Sequence, residues 1–165
     1  MADADPSRLS HTSPDGRARM VDVGAKDITA RTATAEGFVR ISAELERAIR
    51  ASEVAKGSVV EVARLAGIMG AKRTDELIPL CHTVPVDAVD VRADLEPGRV
   101  RITATVRTMA RTGVEMEALT AVAIAALTVV DMGKGVDKGM VIEGIRVLEK
   151  HGGRSGSYIA PEEAR

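Results

Sequence analysis

Between residues 100 and 106 every second side chain is apolar: Val100, Ile102, Ala104 and Val106, with Arg101, Thr103 and Thr105 standing between them. A period of two marks a strand with one buried and one wet face. Residues 86–95 alternate in the same way with one slip (Val86 and Ala88, then Val89, Val91, Ala93 and Leu95), which predicts a bulge. Glu96-Pro97-Gly98 supplies a turn between the two runs, so a hairpin is expected here. Elsewhere the period is 3.6. Ser42 can cap a helix with Leu45, Ala48 and Ile49 on one face, and Ser58-Val59-Val60-Glu61 reads as a capping box for a second with Val62, Leu65, Ala66 and Met69. Residues 118–130 carry no charge at all, so no solvent face can be drawn on them. This predicts a helix buried all round, which one sheet alone does not achieve. A second subunit is expected to cover it.

Shorter strand patterns complete the order. Residues 20–26 (MVDVGAK) are strand-like, residues 37–42 (GFVRIS) form a brief strand, and residues 140–148 form the last one. The sequence β, two helices, β, β, helix, β predicts an α+β domain of ferredoxin-like type. Its four-stranded antiparallel sheet would carry helices on one face. The domain is expected over residues 20–156, between a disordered tail at 1–19 and a flexible tail at 157–165.

Composition narrows the function. Phe38 and Tyr158 are the only aromatic residues, which counts against stacking platforms for single-stranded nucleic acid. A formal charge of −1 gives no basic field for DNA or RNA. The uncharged run spans about 20 Å as a helix, short of the ~20 apolar residues of a membrane crossing. The N-terminus has no apolar leader, and the single Cys81 precludes an internal disulfide. A cytoplasmic protein without nucleic-acid or membrane partners is expected.

Chemistry gathers at the ends of the uncharged helix. Thr112 and Glu115 fit a capping box, so Glu115 is either a cap or a functional acid. Glu117 has no such role, although the helix dipole favours an acid there. Asp131 stands at the negative end of the dipole, and Lys134 lies three residues on, on the same face. The two are either a helix-ending ion pair before Gly133 and Gly135 or an acid/base pair. Glu117 and Asp131 are fourteen residues apart, hence about 21 Å along one helix, and cannot hold one small substrate from a single subunit. Lys56, before the Ser58 cap, is a solvated loop lysine or a phosphate seat. Cys81 and His82 are adjacent without further ligands nearby, a poor set for zinc, so no metal site is expected. His82 remains a candidate for acid/base or phosphate contact.

Three long segments, AGIMGAKRTDELIPLCH, TGVEMEALTAVAIAALTVVDMGKG and DKGMVIEGIRVLEKHGGRSG, with MVDVGAK before them, closely resemble the MoaC family of molybdenum-cofactor biosynthesis. The resemblance implies a synthase that converts 3′,8-cyclo-dihydro-GTP into cyclic pyranopterin monophosphate and releases pyrophosphate. It also implies a hexamer built as a trimer of dimers, with active sites at subunit interfaces. By motif, Asp131, Lys134 and Lys56 match catalytic positions. Leu80, Cys81, His82, Glu115, Met116 and Glu117 match positions at the substrate, and Lys26, Lys72, Arg111, Lys150 and Arg154 match phosphate contacts. No cofactor is implied; Mg2+ is left open as a companion of the triphosphate. The chain departs from the family at Gly133 and Gly135, where DMCKA is common, and at Thr83, often proline; two glycines are expected to loosen the turn after Asp131. The rival readings are a non-catalytic small-ligand-binding regulatory module of the same fold and a metal-dependent hydrolase using Glu115, Glu117 and His82.

Overall fold

The computed structural model describes residues 11–13, 15–52 and 58–161. A five-stranded antiparallel sheet runs in the order β2-β3-β1-β4-β5. At its centre is β1 (Thr29–Arg40), paired with β3 on one side and β4 on the other. Its inner residues Ala33, Ala35 and Val39 are fully buried. Only the last four residues of β1 were expected: Thr and Ala fill most of the rest, and low hydrophobicity hides the period of two there. Residues 20–26, expected as a strand, instead turn. The Lys26 amide bonds the Val23 carbonyl (3.0 Å) and the Asp22 side chain accepts from the Gly24 amide (2.8 Å).

The hairpin is present as β2 (Ala88–Glu96) and β3 (Arg99–Ala110) around Gly98, whose φ of +72° needs a residue without a Cβ. Its register runs unbroken from Ala88↔Arg107 to Glu96↔Arg99, so the expected bulge in β2 is absent; the slip falls at Ala88 and Val89, where the strand only begins. The irregularities lie in the β1–β4 pairing, between Thr34 and Ala35 and between Glu36 and Phe38. β4 (Val141–His151) carries a fifth strand, β5 (Tyr158–Ile159), where four were expected. Two backbone pairings, Glu149↔Ile159 and Lys150↔Tyr158, recruit it from the segment read as a tail.

Among the described residues four helices complete the fold: α1 (Ala43–Arg50), α2 (Val59–Ala71), α3 (Thr74–Leu77) and α4 (Glu115–Gly133). Ser42 caps α1 as expected, its hydroxyl accepting from the Leu45 amide (3.2 Å). The other two capping boxes do not form. Ser58 makes no side-chain cap and Glu61 pairs with Arg64 (3.0 Å). α4 begins after Val114, with Thr112 two residues outside it.

α2 and α4 meet along a seam of small residues. A Cβ on Gly67 would lie 2.9 Å from the Ala121 carbonyl and 3.3 Å from Ala125, and one on Gly70 would lie 2.8 Å from Ile124. α4 is 19 residues long with a mean hydropathy of 1.6, long and apolar enough to cross a membrane by those measures alone. Here it is a core helix, with Ala118, Ala121, Val122, Ala125, Ala126 and Val129 fully buried. It is not buried all round within the chain: Met116 (38%) and Leu127 (55%) are exposed, as are Val62, Leu65 and Met69 on α2.

Candidate active site

The loop after α3 turns through a Cys81 amide bond to the Ile78 carbonyl (3.0 Å) and lies against the start of α4. Between them opens a cleft of about 430 Å3, lined by Leu80, Cys81, His82, Glu115 and Met116. Because no capping box forms, Glu115 is free to fold back over Gly113; a Cβ there would sit 1.9 Å from its Oε2. Glu117 is buried behind the cleft, 3% exposed, and the Cys81 thiol points at its Oε1 from 3.9 Å. Its other oxygen, Oε2, has no partner. Burial pushes the Glu117 carboxyl above its ordinary range, and the charge of Glu115 adds to this. The Cys81 thiol is also pushed up, first by burial and then by Glu117, so it is a neutral contact and not a thiolate nucleophile.

His82 and Thr112 line both this cleft and a smaller one of about 200 Å3, which Arg111 also borders. His82 Nε2 donates to the Val21 carbonyl (2.7 Å), which orients the ring. Arg111 leads on to the cationic end. Its Nε donates to the Lys26 carbonyl (3.1 Å), and its own carbonyl accepts from Arg31 Nη2 (3.3 Å). Lys26, Arg31, Arg154 and Ser155 line a third cleft of about 470 Å3. None of Lys26, Arg31, Arg111 and Arg154 has an ion-pair partner among the described residues, so the first, second and fourth of these bring uncompensated charge to this cleft and Arg111 brings its own to the smaller one. Lys150 stands at its border, bonded to the Ser155 hydroxyl.

Three expected residues lie elsewhere. Asp131 and Lys134 form an ion pair (2.6 Å) at the far end of α4, both side chains more than half exposed. Gly133 is no loosened turn: it is the last residue of α4, and a Cβ there would lie 2.7 Å from Leu45 Cδ2. Lys72 follows α2 and lines none of the three clefts. Lys56 lies outside the described residues. The structure adds Arg31, hidden in the Thr/Ala-rich half of β1, and His11, which borders the first cleft from the segment read as a tail. Among the described residues no three His, Cys, Asp or Glu side chains converge as metal ligands would.

Residues 20–153 match a family model described as the MoaC family. The chain is 56% identical over 151 residues to a cyclic pyranopterin monophosphate synthase of Streptomyces coelicolor, covering 92% of this chain and 89% of the relative. Proteins of the same description from Corynebacterium efficiens (55% identity; 92% and 98% covered) and Peptoclostridium acidaminophilum (50%; 91% and 96%) are similarly close.

Proposed function

This chain belongs to the MoaC family and acts as a cyclic pyranopterin monophosphate synthase, a lyase of molybdenum cofactor biosynthesis; we propose that its substrate is 3′,8-cyclo-dihydro-GTP and that pyrophosphate is the leaving group. One observation carries the reading. Three adjoining clefts pass from unpaired cations at Lys26, Arg31 and Arg154, through Arg111 and His82, to Glu115, Glu117 and Cys81. A triphosphate with a purine-derived head needs that polarity. In closing the cyclic phosphate, a substrate hydroxyl attacks the α-phosphorus and the bond to the β-phosphate oxygen breaks. Cations around the departing pyrophosphate stabilise its charge. Rebuilding the ring system requires proton transfers, which suit a carboxyl whose pKa is raised, as burial does to Glu117.

Asp131 and Lys134 complete the chemistry from a second subunit. Their distance from Glu117, about 21 Å along α4, supports the reading that the two ends of one helix serve two different sites. Lys56 would join Asp131 and Lys134 in proton transfer, and Lys72 would join the phosphate contacts. The apolar outer side of α2 and α4 supports a homo-oligomer, in this reading a hexamer of three dimers with sites between subunits. The β-α-β-β-α-β order of β1 to β4 supports a ferredoxin-like subunit extended by β5. The protein works in the cytosol and uses no resident cofactor, with Mg2+ accompanying the triphosphate at most.

The test is incubation with enzymatically made 3′,8-cyclo-dihydro-GTP, reading pyrophosphate and pterin product together. Both should appear, and both should vanish in Asp131→Asn. An Asp131→Asn protein that turns over normally refutes the assignment. Tight binding without pyrophosphate release identifies a binding module instead.

A further inference from the structure

We propose that Gly153 is a positioning residue for the cationic cleft: its bare main chain lies against the Arg31 guanidinium and holds it, beside Lys26 and Arg154, where the departing pyrophosphate sits. The proposal rests on the synthase reading and assigns a role within it to the loop after β4.

Arg31 is gripped from two sides. On one side Nη2 donates to the Arg111 carbonyl (3.3 Å). On the other is Gly153, with φ of +74°, where a Cβ would lie 1.8 Å from Nη1, 2.5 Å from Cζ and 3.0 Å from Nη2. No side chain fits between the loop and the guanidinium. Arg31 Nε is enclosed and has no partner, so the fork is fixed by packing and its charge is left for a ligand. The loop itself is held at both ends. β5 pairs with Glu149 and Lys150, and His151 Nδ1 meets the Ser157 hydroxyl at 3.0 Å.

Two neighbouring glycines sharpen the inference. Gly152 also has positive φ, but its Cβ would strike the Ala30 carbonyl at 2.1 Å, so substitution there distorts β1 itself. Gly156 has φ of +65° with nothing within 4 Å of its Cβ. Gly153→Ala and Gly156→Ala therefore pay the same left-handed backbone penalty, and only the first displaces a side chain of the cleft. The displaced group is the end of a flexible side chain, so the fold survives and the fork swings out.

Inorganic pyrophosphate binding, read by calorimetry on the full chain, separates the two variants. Gly153→Ala should weaken it about ten- to a hundredfold, the loss of one charged hydrogen-bonding group, while Gly156→Ala matches the parent protein. In an Arg31→Ala background Gly153→Ala should add nothing, because the two act through one guanidinium. KM for the cyclic nucleotide should rise in Gly153→Ala more than kcat falls. Equal losses in the two glycine variants, or additive losses in the double variant, overturn the proposal. A protein that shows this binding pattern yet never releases pyrophosphate from the cyclic nucleotide refutes the synthase reading and upholds Gly153. Normal turnover with unchanged pyrophosphate affinity in Gly153→Ala does the reverse.

Discussion

Replacing Glu117 by glutamine should remove a stability penalty that grows as pH rises and should destroy the protein's activity. The side chain is 3% exposed, one oxygen has no partner, and the other has only a distant thiol. Burial therefore raises its pKa above the ordinary 4.5. The sign follows from proton binding. Below 4.5 the folded and unfolded chains both hold the proton, and Glu117 carries no charge penalty. As pH rises past that value the unfolded chain releases its proton first, so stability falls by up to ~1.4 kcal/mol per pH unit. The fall ends once the folded carboxyl ionises as well. Glutamine leaves buried amide atoms poorly paired, at about 1–3 kcal/mol, but that cost does not vary with pH. The difference between Glu117→Gln and the parent should thus move steadily in favour of glutamine from pH 4.5 upward and then level. Urea midpoints of both proteins across pH 4–8 measure it, and groups common to both cancel in the difference. Turnover should fall at least ~100-fold, the usual scale for a lost proton-transfer group. A stability difference that stays flat over the whole range would show that the carboxyl titrates normally and would remove the basis for its role.

Gly67→Ala should destabilise despite gaining about 1 kcal/mol of helix propensity, because its Cβ meets the Ala121 backbone at 2.9 Å and overpacking costs about 1–3 kcal/mol. A net loss of up to ~2 kcal/mol in urea unfolding is expected, and a more stable protein would mean that the helices separate freely. Asp131→Asn and Glu117→Gln proteins, each inactive alone, should recover activity when unfolded and refolded together. If each site joins one subunit's Glu117 to another's Asp131, equal mixing leaves about a quarter of all sites intact. No recovery in refolded mixtures of verified mixed oligomers would confine the site to one chain.

The sequence revealed most where one face alone decides the pattern. The hairpin of β2 and β3 and the capped start of α1 follow from local periodicity and cap chemistry, and the core helix α4 from its uncharged run. β1 was partly legible, because Thr32, Ala33, Thr34 and Ala35 become a central strand only through partners far along the chain, β3 and β4. Arg31 was missed for the same reason: nothing local marks an arginine in a Thr/Ala run as the floor of a cleft. The capping boxes at Thr112 and Ser58 failed because neither side chain turns back to its helix, and at Thr112 this releases Glu115 to the cleft. β5 rests on two pairings, too few to leave a pattern in sequence.

The seam between α2 and α4 also limits how this chain can change. At Gly67 and Gly70 contact comes from the absence of side chains, so every substitution there is an enlargement. Drift at a bulkier core position can go either way, toward a void or a clash, and neighbours can compensate by growing or shrinking. Here only one direction exists, and the surface that must yield at Gly67 is the backbone of the helix that carries Glu117 at one end and Asp131 at the other. A change at the seam that the fold tolerates would still be felt in the alignment of both ends, so these glycines are expected to vary less than the buried valines around them.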